Sequence, residues 1–256
     1  MANVVYENKV IEAKAKDLLT TAVNTRSLMS VDTSLTATAG MTKTINVYTY
    51  TGEVEELGIG EGNSVVGSIS YVGTDYTVKM NQQNFEYHDE EFMKDNTIVD
   101  NMLKGASQLM VNKMTSDFIA ECGKATLSHT ATEFGYEAIV DAIAKLNMED
   151  ESQLFVVIPT AWKADLRKDP DYKTAQMGQV VYNGQVGTIC GIPVIATKAL
   201  TDSAYIMTNE AVKLFMKKDV EVEQDRDANT RTNKVWLRTA YIVALEDATK
   251  ICRISK

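Results

Sequence analysis

Between positions 99 and 122 the apolar side chains Val99, Met102, Leu103, Ala106, Met110, Met114, Phe118 and Cys122 return at steps of three and four. That spacing puts them on one face of an α-helix. Asp89, Glu90 and Glu91 stand ahead of the run, where acidic groups suit the positive end of a helix dipole, and Gly123 supplies a stop. The pattern predicts one helix of about 34 residues, near 50 Å long. Few compact enzymes of this size contain such an element. It would span a whole domain and act as its spine.

Ahead of this helix the period is two. Residues 44–51, TINVYTYT, are β-branched and aromatic, and a second run of that kind covers 65–80. Between them GEVEELGIGEGNS carries Gly52, Gly58, Gly60 and Gly62 with Glu53, Glu55, Glu56 and Glu61, a flexible, acidic, solvent-facing tip. Residues 45–80 therefore read as a long two-stranded arm. An isolated hairpin is marginally stable in water, so an arm of this length is expected to lie on something else. Ahead of it, Ile11, Ala15, Leu18, Leu19, Ala22 and Val23 form one helical stripe within residues 1–30, which needs its own body or a neighbouring subunit to cover it.

After Phe134 the chain reads as compact α/β. Ile139, Val140, Ile143 and Leu146 mark a short amphipathic helix, and 154–159, LFVVIP, is an apolar run typical of a strand buried on both faces. Thr160 is a candidate N-cap for a further helix that ends at Asp169-Pro170. Asn183-Gly184 signals a hairpin turn into GQVGTICGIPVIAT, where Gly187 and Gly191 are expected to relieve crowding at strand bends and Pro193 suits an edge or a strand start. Strands are expected at 204–207, 220–223, 235–245 and 250–254, with a short helix at 211–215 and a polar break at 225–234.

The chain has 256 residues, 45% hydrophobic and 24% charged, with three prolines, so it should fold into one large or two smaller domains. A net charge of −9 excludes general electrostatic affinity for nucleic acid. Cys122, Cys190 and Cys252 show neither a disulfide framework nor zinc spacing and read as small buried hydrophobes. No secretory signal and no long apolar run occurs, so a reducing cytoplasm and no membrane association are expected.

The sequence holds no catalytic constellation. Gly58-x-Gly60-x-Gly62 precedes a strand rather than a helix whose N-terminus could hold phosphate, and Gly123-Lys124 lacks the rest of a phosphate loop. Asp225, Asp227 and Asn229 match the first ligands of a calcium loop, but Thr230 replaces its glycine and Trp236 its glutamate. His88 and His129 stand apart, without a local nucleophile pattern. No cofactor or metal site is expected.

The order of arm, long hairpin, spine helix, α/β unit and returning strands resembles the major capsid proteins of tailed bacteriophages, the Hong Kong 97 fold. The acidic, glycine-rich hairpin tip is similar to that family's E-loop, DEEFMKD to the start of its spine helix, FVVIPTAW to a strand and helix of its A-domain, and GTICGIPVI to an A-domain corner. The resemblance implies an α+β fold divided into an N-terminal arm (1–40), an E-loop hairpin (41–86), a P-domain with the spine helix (87–133), an A-domain (134–210) and return strands closing both domains (211–256). It also implies a structural protein, not an enzyme, that assembles in the host bacterial cytoplasm into hexamers and pentamers of a virion head. A scaffolding protein, a portal and weak, non-specific contact with packaged double-stranded DNA are the implied partners.

Within that resemblance Glu53, Glu55, Glu56 and Glu61 become candidates for contact between subunits, and Gly187, Gly191 and Pro193 a structural motif of the A-domain. A chain beginning at the arm implies either that an N-terminal scaffold segment was removed or that a separate scaffold is used, Met1 favouring the second, and the absence of lysine between Lys43 and Lys79 argues against covalent cross-linking through the hairpin. An encapsulin-type compartment shell shares the fold and is the nearest alternative. A small-molecule α/β enzyme is a distant one, since the polar constellation it needs is missing.

Overall fold

The computed structural model describes residues 10–11, 13–15, 25–37, 39–170 and 188–256. Among the described residues, three sheets and one long helix organise the fold. The first sheet has the order β1-β10-β11-β4, built from Ser30–Asp32, Val212–Asp227, Thr232–Leu245 and Lys79–His88. The second has the order β5-β12-β9-β6-β8-β7, from Leu127–Thr130, Ile251–Ser255, Ser203–Thr208, Leu154–Pro159, Ile192–Thr197 and Thr188–Ile189. The third is a separate antiparallel pair, β2 (Thr42–Thr51) and β3 (Ser68–Thr77).

The spine helix, α2, runs over Ile98–Cys122, about 37 Å at 1.5 Å per residue. It does not begin at Asp89. A short helix α1, Asp89–Lys94, comes first, and Asp95 then breaks the run because its carboxylate accepts from the Thr97 amide (2.8 Å) and hydroxyl (2.7 Å). That local side-chain bonding competes with continued helix.

Two successive stretches of α2 serve two different cores. Val99, Leu103, Ala106, Met110 and Val111 pack with Tyr87, Val220, Val222, Val235 and Leu237 of the four-stranded sheet, and Ile11 and Ala15 of the N-terminal segment join them. Met114, Phe118 and Cys122 instead pack where Leu214, Met216, Tyr241 and Val243 meet Phe155, Val157, Met207 and Ile251 of the six-stranded sheet. The helix therefore ties the two sheets together. The remaining stripe positions Leu18, Leu19, Ala22 and Val23 lie outside the described residues.

The other face of the six-stranded sheet is covered by α3 (Tyr136–Leu146), through Ala138, Ile139, Ala142, Ile143 and Leu146, and by Trp162 and Leu166 around α4 (Lys163–Lys168). Strand β6 is buried on both faces, Val156 and Ile158 toward α3 and Phe155 and Val157 toward α2, which explains its unbroken apolar sequence. Thr160 caps no helix; it opens a short 3-10 turn before α4.

Residues 211–215, read from sequence as a short helix, form no helix: Ala211 lies in a turn and residues 212–215 open the 16-residue strand β10. Leu214 and Met216 face one core and Phe215 the opposite one, so both faces are apolar and the period-2 signal vanishes. Cys190 also departs from its reading as a buried hydrophobe: Cys122 and Cys252 are buried, whereas Cys190 is exposed.

Candidate assembly interface

The β2–β3 hairpin joins the body only at its base. Ile45 and Val78 are buried there with Leu35, Phe215, Ala240, Ile242 and Ala244, and Tyr76 packs against them. In the antiparallel register Lys43 opposes Tyr76, Ile45 opposes Thr74 and Val47 opposes Val72, so these share one face, which meets the body at its base and is open farther out, at Val47 and Val72. Tyr48 opposes Tyr71 and Tyr50 opposes Ile69 on the other face. These four are 61%, 68%, 71% and 64% exposed, and the Tyr48 and Tyr71 rings lie 5.9 Å apart. A row of large apolar groups held clear of the body is an association surface rather than a core.

The acidic tip is internally ordered. Glu55 accepts from the Ser64 amide (2.6 Å), the Ser64 hydroxyl and the Val65 amide (3.2 Å), closing the loop across its width. The hydrogen bonds from Ser64 hold the Glu55 carboxyl below the usual carboxylate range. Glu61 accepts from the Gly58 amide at 3.1 Å. Glu53 stands exposed before this clamp and Glu56 inside it. Gly52 and Gly67 leave room at the neck for the Tyr50 ring, whose atoms any Cβ there would meet.

At the base of the arm, polar groups of three elements converge. Glu121 of α2 accepts from the Tyr76 hydroxyl of β3 and from the Leu245 amide of β11, each at 3.3 Å, and pairs with Lys124 at 2.6 Å. One turn earlier Asp117 accepts from the Tyr241 hydroxyl at 3.0 Å. Burial first, then the Glu121 charge, raises the Tyr76 phenol above its usual value; burial and Asp117 do the same to Tyr241. Both tyrosines stay protonated donors.

In the six-stranded sheet, Ile189 and Ile192 pair across a two-residue turn of Cys190 and Gly191, with φ of 53° and 79°. Positive φ at both positions defines a type I′ hairpin. Nothing lies within 4 Å of a Cβ built on Gly191, so its role is the left-handed turn and not relief of crowding. Pro193 is the second residue of β8, just before parallel pairing with β6 begins at Val194. Gly187 and the Asn183-Gly184 turn lie outside the described residues.

The other polar motifs have local roles. Asp227 accepts from the Asn229 amide and Thr230 hydroxyl, each at 2.9 Å, turning the β10–β11 hairpin. His88, which precedes α1, has its Nδ1 hydrogen-bonded to the Thr232 hydroxyl at 3.1 Å, while His129 lies 3.7 Å from Asp141. Among the described residues no cluster of three His, Cys, Asp or Glu could hold a metal ion, and no helix is long and apolar enough to cross a membrane.

Charge in the sequence points to the tip glutamates as contact candidates, not to Tyr48, Tyr50, Ile69 and Tyr71. The i, i+2 spacing of Tyr48 and Tyr50 and of Ile69 and Tyr71 already put each pair on one face.

A spine helix shared by two sheets, with a two-stranded arm projecting from the four-stranded one, defines a capsid subunit of the Hong Kong 97 type. A family model described as phage capsid protein matches residues 71–254. The chain belongs to that family: it is a capsid structural protein and a virion component, not an enzyme. The major capsid protein of Staphylococcus phage phiMR11 is 27% identical over 150 residues, 57% of this chain; the chain spans about 55% of that relative. Among solved structures, the capsid of cyanophage P-SCSP1u matches with a TM-score of 0.71 at 10% identity, over 89% of this chain and 86% of that one. A virus-like particle from Pyrococcus furiosus matches with 0.65 at 10% identity, over 96% and 98%. At such identities these likenesses show the fold alone.

Proposed function

We propose that this chain is the major capsid protein of a tailed double-stranded DNA phage and self-assembles into the hexamers and pentamers of an icosahedral head. The observation that carries the reading is the β2–β3 arm, whose face of Tyr48, Tyr50, Ile69 and Tyr71 is turned away from its own body and left open. Laid on a neighbouring copy, such an arm contributes to the roughly 2,000 Å² or more per subunit that obligate interfaces bury. Repetition over a shell makes many modest contacts sufficient. Glu53 and Glu56 serve contacts between subunits, while Glu55 and Glu61 shape the loop that presents them.

In this reading the helix-covered six-stranded sheet, with Gly191 and Pro193 at its hairpin edge, is the unit that packs around the capsomer axis. The four-stranded sheet with α2 forms the elongated peripheral unit. A separate scaffolding protein and a portal are the expected partners, and the acidic chain touches packaged DNA weakly and without sequence preference. An encapsulin-type compartment would use the same fold; the sequence likenesses favour the phage reading.

Electron microscopy of the purified chain, with and without its scaffold, tests this. Closed shells, tubes or capsomers are expected, and deletion of residues 53–62 should leave a folded subunit that assembles poorly. A monomer that persists at high concentration under both conditions would overturn the reading. Loss of soluble folded protein on deletion would place the tip in the core.

A further inference from the structure

The arm meets the body at a narrow base, where Val78 alone separates β3 of the arm from β4 of the four-stranded sheet. Val78 is buried, and its amide donates to the Met41 carbonyl at 2.7 Å, pinning the two strands where they leave the body. The apolar contacts of Ile45 and Val78 fix the position of this pivot but have little directionality. Directional contacts come from Lys43 of the arm, 5.3 Å from the centre of the Phe215 ring, and from one carboxylate, Glu121, which receives Tyr76 from the arm, Leu245 from β11 and Lys124 from the end of α2. Lys124 also lies 5.1 Å from the centre of the Tyr76 ring, holding the phenol from its face while Glu121 holds its hydroxyl.

We propose that Tyr76, Glu121 and Lys124 form a latch that sets the angle of the arm to the body, and through it the curvature of the assembled shell. The proposal rests on the reading of the arm as an inter-subunit element. A ten-residue strand is about 33 Å long, so a tilt of about 10° at its base moves the far end by about 6 Å. A hydrogen bond this near the pivot therefore bears on where Tyr48, Tyr50 and the tip meet a neighbour. The same carboxylate touches α2 and β11, so a change in how the spine helix meets the sheet is felt by the arm. With its raised affinity for its proton, Tyr76 remains the donor at any physiological pH.

Hydrogen exchange on the unassembled full-length chain reads the latch directly. Tyr76→Phe keeps the ring and removes only the donor. Exchange at the Thr77 and Val78 amides should rise by about tenfold, the factor carried by one hydrogen bond of ordinary net strength. Exchange at Val156 and Val157 in the other sheet should not change. Glu121→Gln, which removes the charge that holds Lys124, should accelerate the same amides. Assembled Tyr76→Phe particles should then show a broader spread of diameters than wild type by electron microscopy. Unchanged exchange at Val78 in both variants would overturn the latch. Faster exchange with an unchanged particle size would overturn its control of curvature. Failure of the wild-type chain to assemble at all would count against the capsid reading instead, leaving the exchange result to judge the latch.

Discussion

Tyr241 of β11 donates its phenolic hydrogen to Asp117 of the spine helix at 3.0 Å, in the stretch of the helix that touches both large sheets. Asp117 also pairs with Lys113 one turn away, so its charge is met from two sides. Tyr241→Phe removes the donor and leaves the ring in place. We expect a loss of about 1–2 kcal/mol, read as a lower midpoint in denaturant with an unchanged slope.

The same pair makes stability sensitive to alkali. Burial, and then the Asp117 carboxylate, raises the Tyr241 phenol above its unfolded value, near 10. Above about pH 10 the unfolded chain releases this proton while the native protein keeps it, so stability falls as pH rises. Below that value the contribution is fully present. Thermal melts from pH 8 to 11 should show a steep decline for wild type and a shallower one for Tyr241→Phe. Parallel curves would show that another group governs the alkaline limb; Tyr76, raised by burial and Glu121, is the next to replace.

In α1, ahead of the spine helix, the sign reverses. Asp89 opens α1 and accepts from Asn233 at 2.8 Å and from Arg226, which hold its carboxyl below the usual range, Asn233 most strongly. Its contribution is present above the unfolded value, about 3.9, and is lost as pH falls below it toward the lower native value. Asp89→Asn should lower stability at neutral pH and flatten the acid limb of the melting curve. An acid limb as steep as wild type would sink this assignment.

How far the sequence disclosed this molecule depended on whether one local signal dominated. The spine helix was legible because its stripe faces two cores in turn without losing its spacing. Its start was misjudged because Asp95 and Thr97 form a local turn that no periodicity shows. The start of strand β10, residues 212–215, reads as a helix because Leu214, Phe215 and Met216 are all buried, on opposite faces. Strand β4, KMNQQNFEYH, was only partly recognised: its polar residues mask an element paired with β11 along its whole length. At the arm, charge drew attention to the tip, whereas the surface made by Tyr48, Tyr50, Ile69 and Tyr71 emerges only once the register places two strands side by side.

The Cys190-Gly191 turn gives a sharper test of backbone chemistry than of packing. Both residues have positive φ, and no atom lies within 4 Å of a Cβ on Gly191. Gly191→Ala should therefore destabilise by backbone strain alone, about 1–2 kcal/mol. Cys190→Asn, which creates the pair favoured in type I′ turns, should leave stability at or above the wild-type level. Calorimetry of the two variants decides the matter: equal destabilisation by both would point to lost contacts of the Cys190 thiol, which lies 3.3 Å from the Tyr136 hydroxyl.

The exposed face of the arm separates folding from assembly. Tyr48, Tyr50 and Tyr71 contribute little to their own subunit, since each is more than half exposed. Replacing all three by alanine should shift the melting temperature of the unassembled chain by no more than about 2 °C for each 0.5 kcal/mol of lost cross-strand contact. Assembly should suffer far more. Buried tyrosines are frequent hot spots, and three of them lost from each subunit should raise the concentration needed for assembly at least about tenfold. Light scattering against concentration measures that threshold. An unchanged threshold in the triple variant would mean that the arm meets its neighbours through its Val47 and Val72 face or through the glutamates at its tip.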